Sequence, residues 1–283
     1  MVKIISDSTC DLSNELCQRY GVELLPLHIL LGEEDRVDRL TVTPEQLYTW
    51  SDAHQATPKT AAFSVEEAKS IFQPHLAAGD DLVCFSISAQ MSASCQNMRI
   101  AAEELHAGQH IRVIDSMSLS TGVGHQVIEA AQLAQAGATA EEIERHAMCI
   151  RPLVRASFVV DTLTYLHRGG RCSSVAALTG SVLRLHPRIA VTDGAMVAGK
   201  KYRGHLRHVV DAYVRDMETE LLRARPDRVF ITHSGCDAAI VEGVRSYLLG
   251  LDHFGEVLET RAGSVISSHC GPGTLGVLFI ANQ

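Results

Sequence analysis

The sequence predicts an α/β protein of two domains: a parallel-sheet, Rossmann-like domain over residues 1–155 and a mixed-sheet α/β domain over residues 156–283. Three observations carry this. Short apolar runs alternate with helical segments through the first half, the pattern of a doubly wound parallel sheet. In the second half an Asp193-Gly194 pair between two extended runs signals a hairpin, which a purely parallel sheet would not contain. A chain of 283 residues, 46% hydrophobic, supplies two ordinary cores, and no low-complexity linker interrupts it.

Taken in order, Lys3-Ile4-Ile5 predicts a first strand, and the loop over 6–11 follows it. Loops after strands in open α/β sheets face the ligand crevice, so Asp7 and Ser8 either line a site or serve as turn and capping residues. A short helix over 13–20 and an extended segment over 22–27 come next, then an acidic, turn-like surface excursion over 32–38. Thr43-Pro44-Glu45-Gln46 and Ser64-Val65-Glu66-Glu67 are capping boxes that open helices. Pro74 should stop the second of these, and residues 58–63 between them read as a loop.

Leu82-Val83-Cys84-Phe85 has the length of a buried strand. Ser86, Ser88, Ser92 and Ser94 follow, and from Met98 the apolar spacing becomes helical. A strand thus runs through a hydroxyl-rich turn into a helix N-terminus, where free N–H groups favour a carboxylate or phosphate. The alternative is that Ser92 or Ser94 only caps the helix. A strand over 111–114 ends in Asp115-Ser116. Helices follow over 121–135 and, capped by Thr139 with Glu142, over 140–150.

The second half opens with a strand over 157–160 and a short helix over 163–168 stopped by Gly169-Gly170. A helix over 175–185 precedes the hairpin strands at 188–191 and 196–200. A long amphipathic helix covers 206–223. A strand over 228–231, a helix over 237–249 and strands over 257–261 and 277–280 complete the chain.

Composition narrows the function. The formal net charge is −8, and no basic block suggests a nucleic-acid partner. Eight cysteines are scattered without a C-x-x-C pair or zinc-like spacing. Met1 leads into a strand without the features of a signal peptide, and no apolar run reaches membrane-spanning length. The expectation is a cytoplasmic protein with reduced thiols and no transmembrane segment. Fourteen histidines include no H-E-x-x-H, and neither a metal nor a cofactor is assigned.

Three clusters carry chemistry. Thr60 sits just before a capped helix, from which its hydroxyl can join the serine turn or remain an ordinary turn threonine. Arg168-Gly169-Gly170-Arg171 sets two guanidiniums around a helix-ending turn, suited to an anion or a partner, or else to the helix dipole. Over 267–274, two glycines around Pro272 make a rigid loop beside His269, whose imidazole can donate to an anion, exchange a proton, or be a bonded structural residue. His233-Ser234-Gly235 reads as structural. Gly194 to Lys200 nearly spells a phosphate-binding loop, but Lys201 stands where Ser or Thr is needed. Gly271, Gly273 and Gly276 lack the βαβ context of a dinucleotide fingerprint.

In their order, these pieces resemble the DegV family of fatty-acid-binding proteins across nearly the whole chain. The resemblance runs from Asp7-Ser8-Thr9 through Pro26-Leu27, Lys59-Thr60, the serine turn and Asp115-Ser116. It continues through Tyr165-Leu166-His167-Arg168-Gly169-Gly170-Arg171, Asp193-Gly194, Lys201-Tyr202-Arg203 and His269-Cys270-Gly271-Pro272-Gly273. It implies two α/β domains with a long-chain fatty acid in a tunnel between them. It further implies a carboxylate held by Thr60 and Ser92 near His269, and no bond chemistry by the protein itself. A separate fatty acid kinase would receive the acid and phosphorylate its carboxyl group. Arg171 and Arg203 would be basic groups near the tunnel mouth or the kinase docking face. Ala61 stands where the family usually has serine, and Ala93-Ser94 where glycine and threonine are usual, which bears on lipid preference and kinase partnership.

Two rival readings fit the same residues. One is a small-molecule hydrolase or transferase using Ser92 with His269, although no G-x-S-x-G elbow exists. The other is a regulatory protein that holds lipid and never meets a kinase.

Overall fold

The computed structural model of the chain describes residues 1–173 and 185–282. Four parallel strands organise the first half: β1 (Val2–Asp7), β2 (Val22–Leu25), β6 (Asp81–Ser86) and β7 (Ile111–Asp115), in the order β2-β1-β6-β7. The apolar run of β6 is buried on both faces because helices cover both. Val83 and Phe85 pack with Val123 and Val127 of α5 (Thr121–Gln135) and Ile143 of α6 (Ala140–Ile150). Leu82 and Cys84 point the other way, into a core with Phe72 of α3 (Val65–Ala77) and Met98 of α4 (Ser94–Glu104). The chain leaves β1 toward β2 on one side and returns to β6 on the other. The carboxyl ends of β1 and β6 are therefore the switch point outside which open sheets bind ligands.

The second half builds a six-stranded mixed sheet in the order β10-β9-β8-β13-β11-β12. These strands are β8 (Val154–Val159), β9 (Leu185–Thr192), β10 (Ala195–Arg203), β11 (Arg228–His233), β12 (Glu256–Arg261) and β13 (Leu275–Ile280). Only β11 and β12 pair in parallel. The β9–β10 turn is the expected Asp193-Gly194, with φ of 49° and 82°, both positive as a primed turn requires. The expected architecture is thus present: a parallel sheet in the first half and a mixed sheet in the second.

Four local expectations are corrected. The excursion over 32–38 and the loop over 58–63 contain strands β4 (Glu34–Val37) and β5 (Lys59–Ala61), which flank β3 (His28–Leu31) in a small antiparallel sheet. β4 is polar because it is a largely exposed edge, so composition hid it. Pro74 lies inside α3 and does not end it; both Pro74 and Ser70, whose carbonyl it frees, lie on the exposed face. The helix over 206–223 breaks at Met217 into α8 (Leu206–Asp216) and α9 (Glu218–Leu221), and Met217 turns fully into the core. His269 lies in the last turn of α11 (Ser264–Cys270), and the loop expected beside it begins at Gly271. The helix expected over 175–185 lies, except for its last residue, outside the described residues.

The remaining helices are α1 (Asn14–Tyr20), α2 (Pro44–His54), α7 (Thr164–Gly169) and α10 (Ala238–Gly250). A separate core cluster lies between the two sheets, joining Ile87, Met91 and Leu119 to Phe158, Ile189, Met196 and Ile266.

Candidate functional site

After Ser86 the chain turns before entering α4. Ala93, not a serine, takes the N-cap position and makes no side-chain cap. Ser92 Oγ instead accepts from Ser94 N–H at 3.2 Å and lies 2.9 Å from Ser94 Oγ. The turn is braced from the second half: Ser88 Oγ–H donates to Gly194 O at 2.6 Å, and the Gln90 amide donates to Asp193 O. This leaves Ser92 and Ala93 on the wall of a cavity.

Thr60 enters the same wall from β5, opposite Ile29 of β3. Its Oγ1 lies 2.9 Å from Nε2 of His269, which is 209 residues away in sequence and in the last turn of α11. Nδ1 of His269 is fully enclosed and has no hydrogen-bond partner among the described residues. Gly169, at the end of α7, packs against that nitrogen: a Cβ there would lie 2.5 Å from Nδ1. Burial pushes the imidazole down to about 4, and the nearby Arg171 guanidinium adds to the effect. The ring is therefore neutral at physiological pH. A proton on Nδ1 would be a buried, unpaired donor, which is costly. The favoured tautomer carries the proton on Nε2 and donates it to Thr60 Oγ1. The Thr60 hydroxyl proton is then free to serve a third group.

The start of α11, which carries His269, is fixed by two buried carboxylates from the first half. Asp11 accepts from Gly263 N–H at 2.8 Å and from Ser120 Oγ–H at 2.6 Å. Asp38 accepts from Ser264 N–H at 2.8 Å and from Ser8 Oγ–H at 2.7 Å. Burial raises both, Asp11 to about 7. Asp7 caps the turn after β1, accepts from Ile87 N–H at 2.8 Å, and is pushed by burial up to about 6. Asp7 thus takes its turn-and-cap alternative, whereas Ser8 ties the turn to Asp38 and accepts from Leu27 N–H at 3.2 Å. Asp38 carried no usable sequence signal, because a buried carboxylate in an acidic run looks like surface.

The cavity itself is about 180 Å³. Thr60, Ser92, Arg171 and His269 form its polar part, Ala61 and Ala93 lie beside them, and Leu27, Ile87, Met91, Leu119, Met196 and Ile266 are among its apolar walls. Thr60, Arg171 and His269 also line a wider opening of about 520 Å³, with Lys59 and Arg168. Inward, Leu119, Ile266 and Cys270 separate the cavity from a narrow apolar space of about 20 Å³ beside Phe158 and Leu278. The apolar walls escaped the sequence reading because nothing distinguishes a cavity-lining Met91 or Ile266 from ordinary core.

Arg171 is exposed and donates to Gly169 O at 2.8 Å. Arg203 is exposed on the edge strand β10 and lines none of these three spaces. Nε2 of His269 is bonded to Thr60 and Ser92 Oγ to Ser94, so the Ser92–His269 pair of a hydrolase is not formed here. His233 Nδ1 accepts from Gly235 and Cys236 N–H at 3.3 Å, a structural role. Among the described residues no group of His, Cys, Asp and Glu could hold a metal ion, and no helix is long and apolar enough to cross a membrane.

A family model described as "Uncharacterised protein, DegV family" matches residues 1–282. A DegV domain-containing protein of Deinococcus radiodurans is 30% identical over 278 residues, 98% of this chain and 97% of its own. A solved DegV family protein from Thermus thermophilus, described as fatty acid binding, superposes with a TM-score of 0.90 at 27% identity over 99% of both chains. A stearic acid-binding protein from Eubacterium ventriosum superposes with a TM-score of 0.85 at 26% identity, over 99% of this chain and 98% of that one.

Proposed function

The chain belongs to the DegV family, and from that premise we propose that it is a carrier for a long-chain fatty acid. The acid lies between two lobes, residues 1–155 and 156–283, with its tail in the apolar cavity and its carboxylate at the Thr60–Ser92–His269 end. Thr60 and Ser92 donate to the carboxylate, His269 orients Thr60, and Ala61 and Ala93 leave room beside the head group. The observation that carries this reading is the Thr60–His269 hydrogen bond at the boundary between an apolar cavity and a wide basic opening. The solved Thermus thermophilus and Eubacterium ventriosum relatives, described as binding fatty acid and stearic acid, support it.

The energetics agree. Each buried methylene contributes about 0.8 kcal/mol, so the tail supplies most of the affinity. An unpaired buried carboxylate would offset much of that, and two hydroxyl donors remove the penalty. Such a seat separates an acid from an alcohol or a hydrocarbon.

The carboxylate faces the opening lined by Lys59, Arg168 and Arg171, which suits delivery to a fatty acid kinase that makes the acyl phosphate. In this reading the protein performs no bond chemistry, Arg171 steadies the head group or the partner, and Arg203 is a partner contact. Cysteines that form no disulfide among the described residues fit work in a reducing cytoplasm.

The test is mass spectrometry of lipid extracted from purified protein, followed by calorimetric titration of the delipidated protein with palmitate and stearate. Bound acid and saturable uptake are expected; a protein that carries none and takes up none overturns the reading. Acyl phosphate formed on adding a fatty acid kinase and ATP supports the partnership. Uptake without acyl phosphate leaves a binding protein that hands nothing on.

A further inference from the structure

A second cleft, of about 480 Å³, opens on the other side of the β9–β10 hairpin from the lipid cavity. Its position follows from strand alternation. Ile189 of β9 packs with Phe158 and Met196 between the sheets, so the neighbouring Arg188 and Ala190 point to the opposite face. There they meet Ser157, the short helical turn Arg151–Leu153 after α6, and Asp193-Gly194.

Three guanidiniums converge on this cleft in a chain whose net charge is −8. Arg151 donates Nη1 to Asp115 O at 3.2 Å, and Arg155 donates Nη1 to Pro152 O at 2.8 Å. Among the described residues neither makes an ion pair. Arg188 pairs with Glu220 at 3.6 Å and lies over the Tyr213 ring, 5.9 Å from its centroid, and its Nε is fully buried with no hydrogen-bond partner among the described residues. Carboxylates or phosphates are what the guanidinium fork fits. Among the described residues Asp193 is the one carboxylate that lines the cleft. The walls also carry Met117 and Met148, against which an apolar portion of a ligand can rest. The volume falls within the usual range of small-molecule sites, roughly 300–1,000 Å³.

We propose that this cleft binds a phosphate-bearing small molecule, its phosphate held by Arg151, Arg155 and Arg188. The site is separate from the fatty-acid reading and does not depend on it. It has a route to that site nonetheless, since the Asp193-Gly194 turn in its wall accepts hydrogen bonds from Gln90 and Ser88 of the serine turn.

The probes are inorganic phosphate, pyrophosphate and adenosine monophosphate, titrated calorimetrically into the full chain at low and at physiological ionic strength. Saturable uptake of at least one is expected. Arg155→Ala, at an exposed position, and Arg188→Lys, which keeps the charge and loses the fork, should each weaken it roughly ten-fold while the melting temperature holds. Asp193→Asn removes the opposing charge at a positive φ that asparagine tolerates, and should tighten it. Preference for the nucleotide over phosphate and pyrophosphate would assign the apolar wall to a base, and the reverse would assign a simple anion; either supports the proposal. No saturable uptake of any probe, or uptake unchanged by all three substitutions, overturns it.

Discussion

His269 has two nitrogens in unlike surroundings: Nε2 meets the Thr60 hydroxyl, and Nδ1 is pressed against Gly169. Neither feature is visible at the level of residue type, and each gives an expectation. Gly169 is not in the left-handed region, so Gly169→Ala is acceptable to the backbone, yet its methyl group would collide with Nδ1 and displace the ring. Fatty-acid affinity should fall roughly ten-fold, the scale of one hydrogen bond to a charged group, while circular dichroism stays unchanged; undiminished affinity would remove His269 from the seat. Thr60→Ala combined with Ser92→Ala should cost at least as much. The imidazole itself should titrate near 4 in the lipid-free protein, as followed by NMR of labelled histidine, because burial lowers it. Sequence could flag Thr60, Ser92 and His269 as hydroxyl and imidazole chemistry, and a family resemblance could group them. It could not supply the reason for Gly169, because that glycine is required by a side chain 100 positions away rather than by its own turn.

At the scale of elements, what local chemistry decides was legible. The capping boxes at Thr43, Ser64 and Thr139 are formed as their spacing requires, and Asp193-Gly194 makes its hairpin. What depends on tertiary partners was not: β4 and β5 exist because β3 offers them a backbone ladder, and Met217 breaks a helix because the core accepts its side chain. The hairpin shows both levels at once. Its residue types fix the turn, but the function of the turn lies in the Gly194 carbonyl that Ser88 reaches across from the other sheet. Gly194→Ala would place a Cβ 2.7 Å from Ser88 Oγ at a φ of 82°. A loss of about 1–2 kcal/mol is expected from the left-handed backbone alone. Loosening of the serine turn should also appear as faster amide exchange at Ser88, Gln90 and Ser92. Exchange unchanged at those amides would mean that the hairpin does not brace the site.

Over the whole molecule, buried titratable groups oppose one another in their pH dependence. Asp7 and Asp11 are raised by burial to about 6 and about 7, and Asp38 is raised as well. In the window between about 4 and those values the folded chain holds protons that the unfolded chain has released. Their contribution to stability therefore falls as pH rises through that window. His125 and His269 are lowered by burial to about 4, and His233 is lowered too. Below about 6.5 the unfolded chain takes up protons that the folded one refuses, so the histidine contribution falls as pH drops. The two slopes have opposite signs over the same range, and the urea midpoint should be nearly flat between pH 4.5 and 6.5. Asp11→Asn takes one carboxyl out of the balance while its amide oxygen can still accept from Gly263 N–H. The histidines then prevail, and the midpoint of that variant should rise with pH across the window where the parent's does not. A parallel pair of curves would mean that Asp11 titrates as it does in the unfolded chain. The clamp on α11, and through it the placement of His269, would then be held by an ordinary ionised carboxylate.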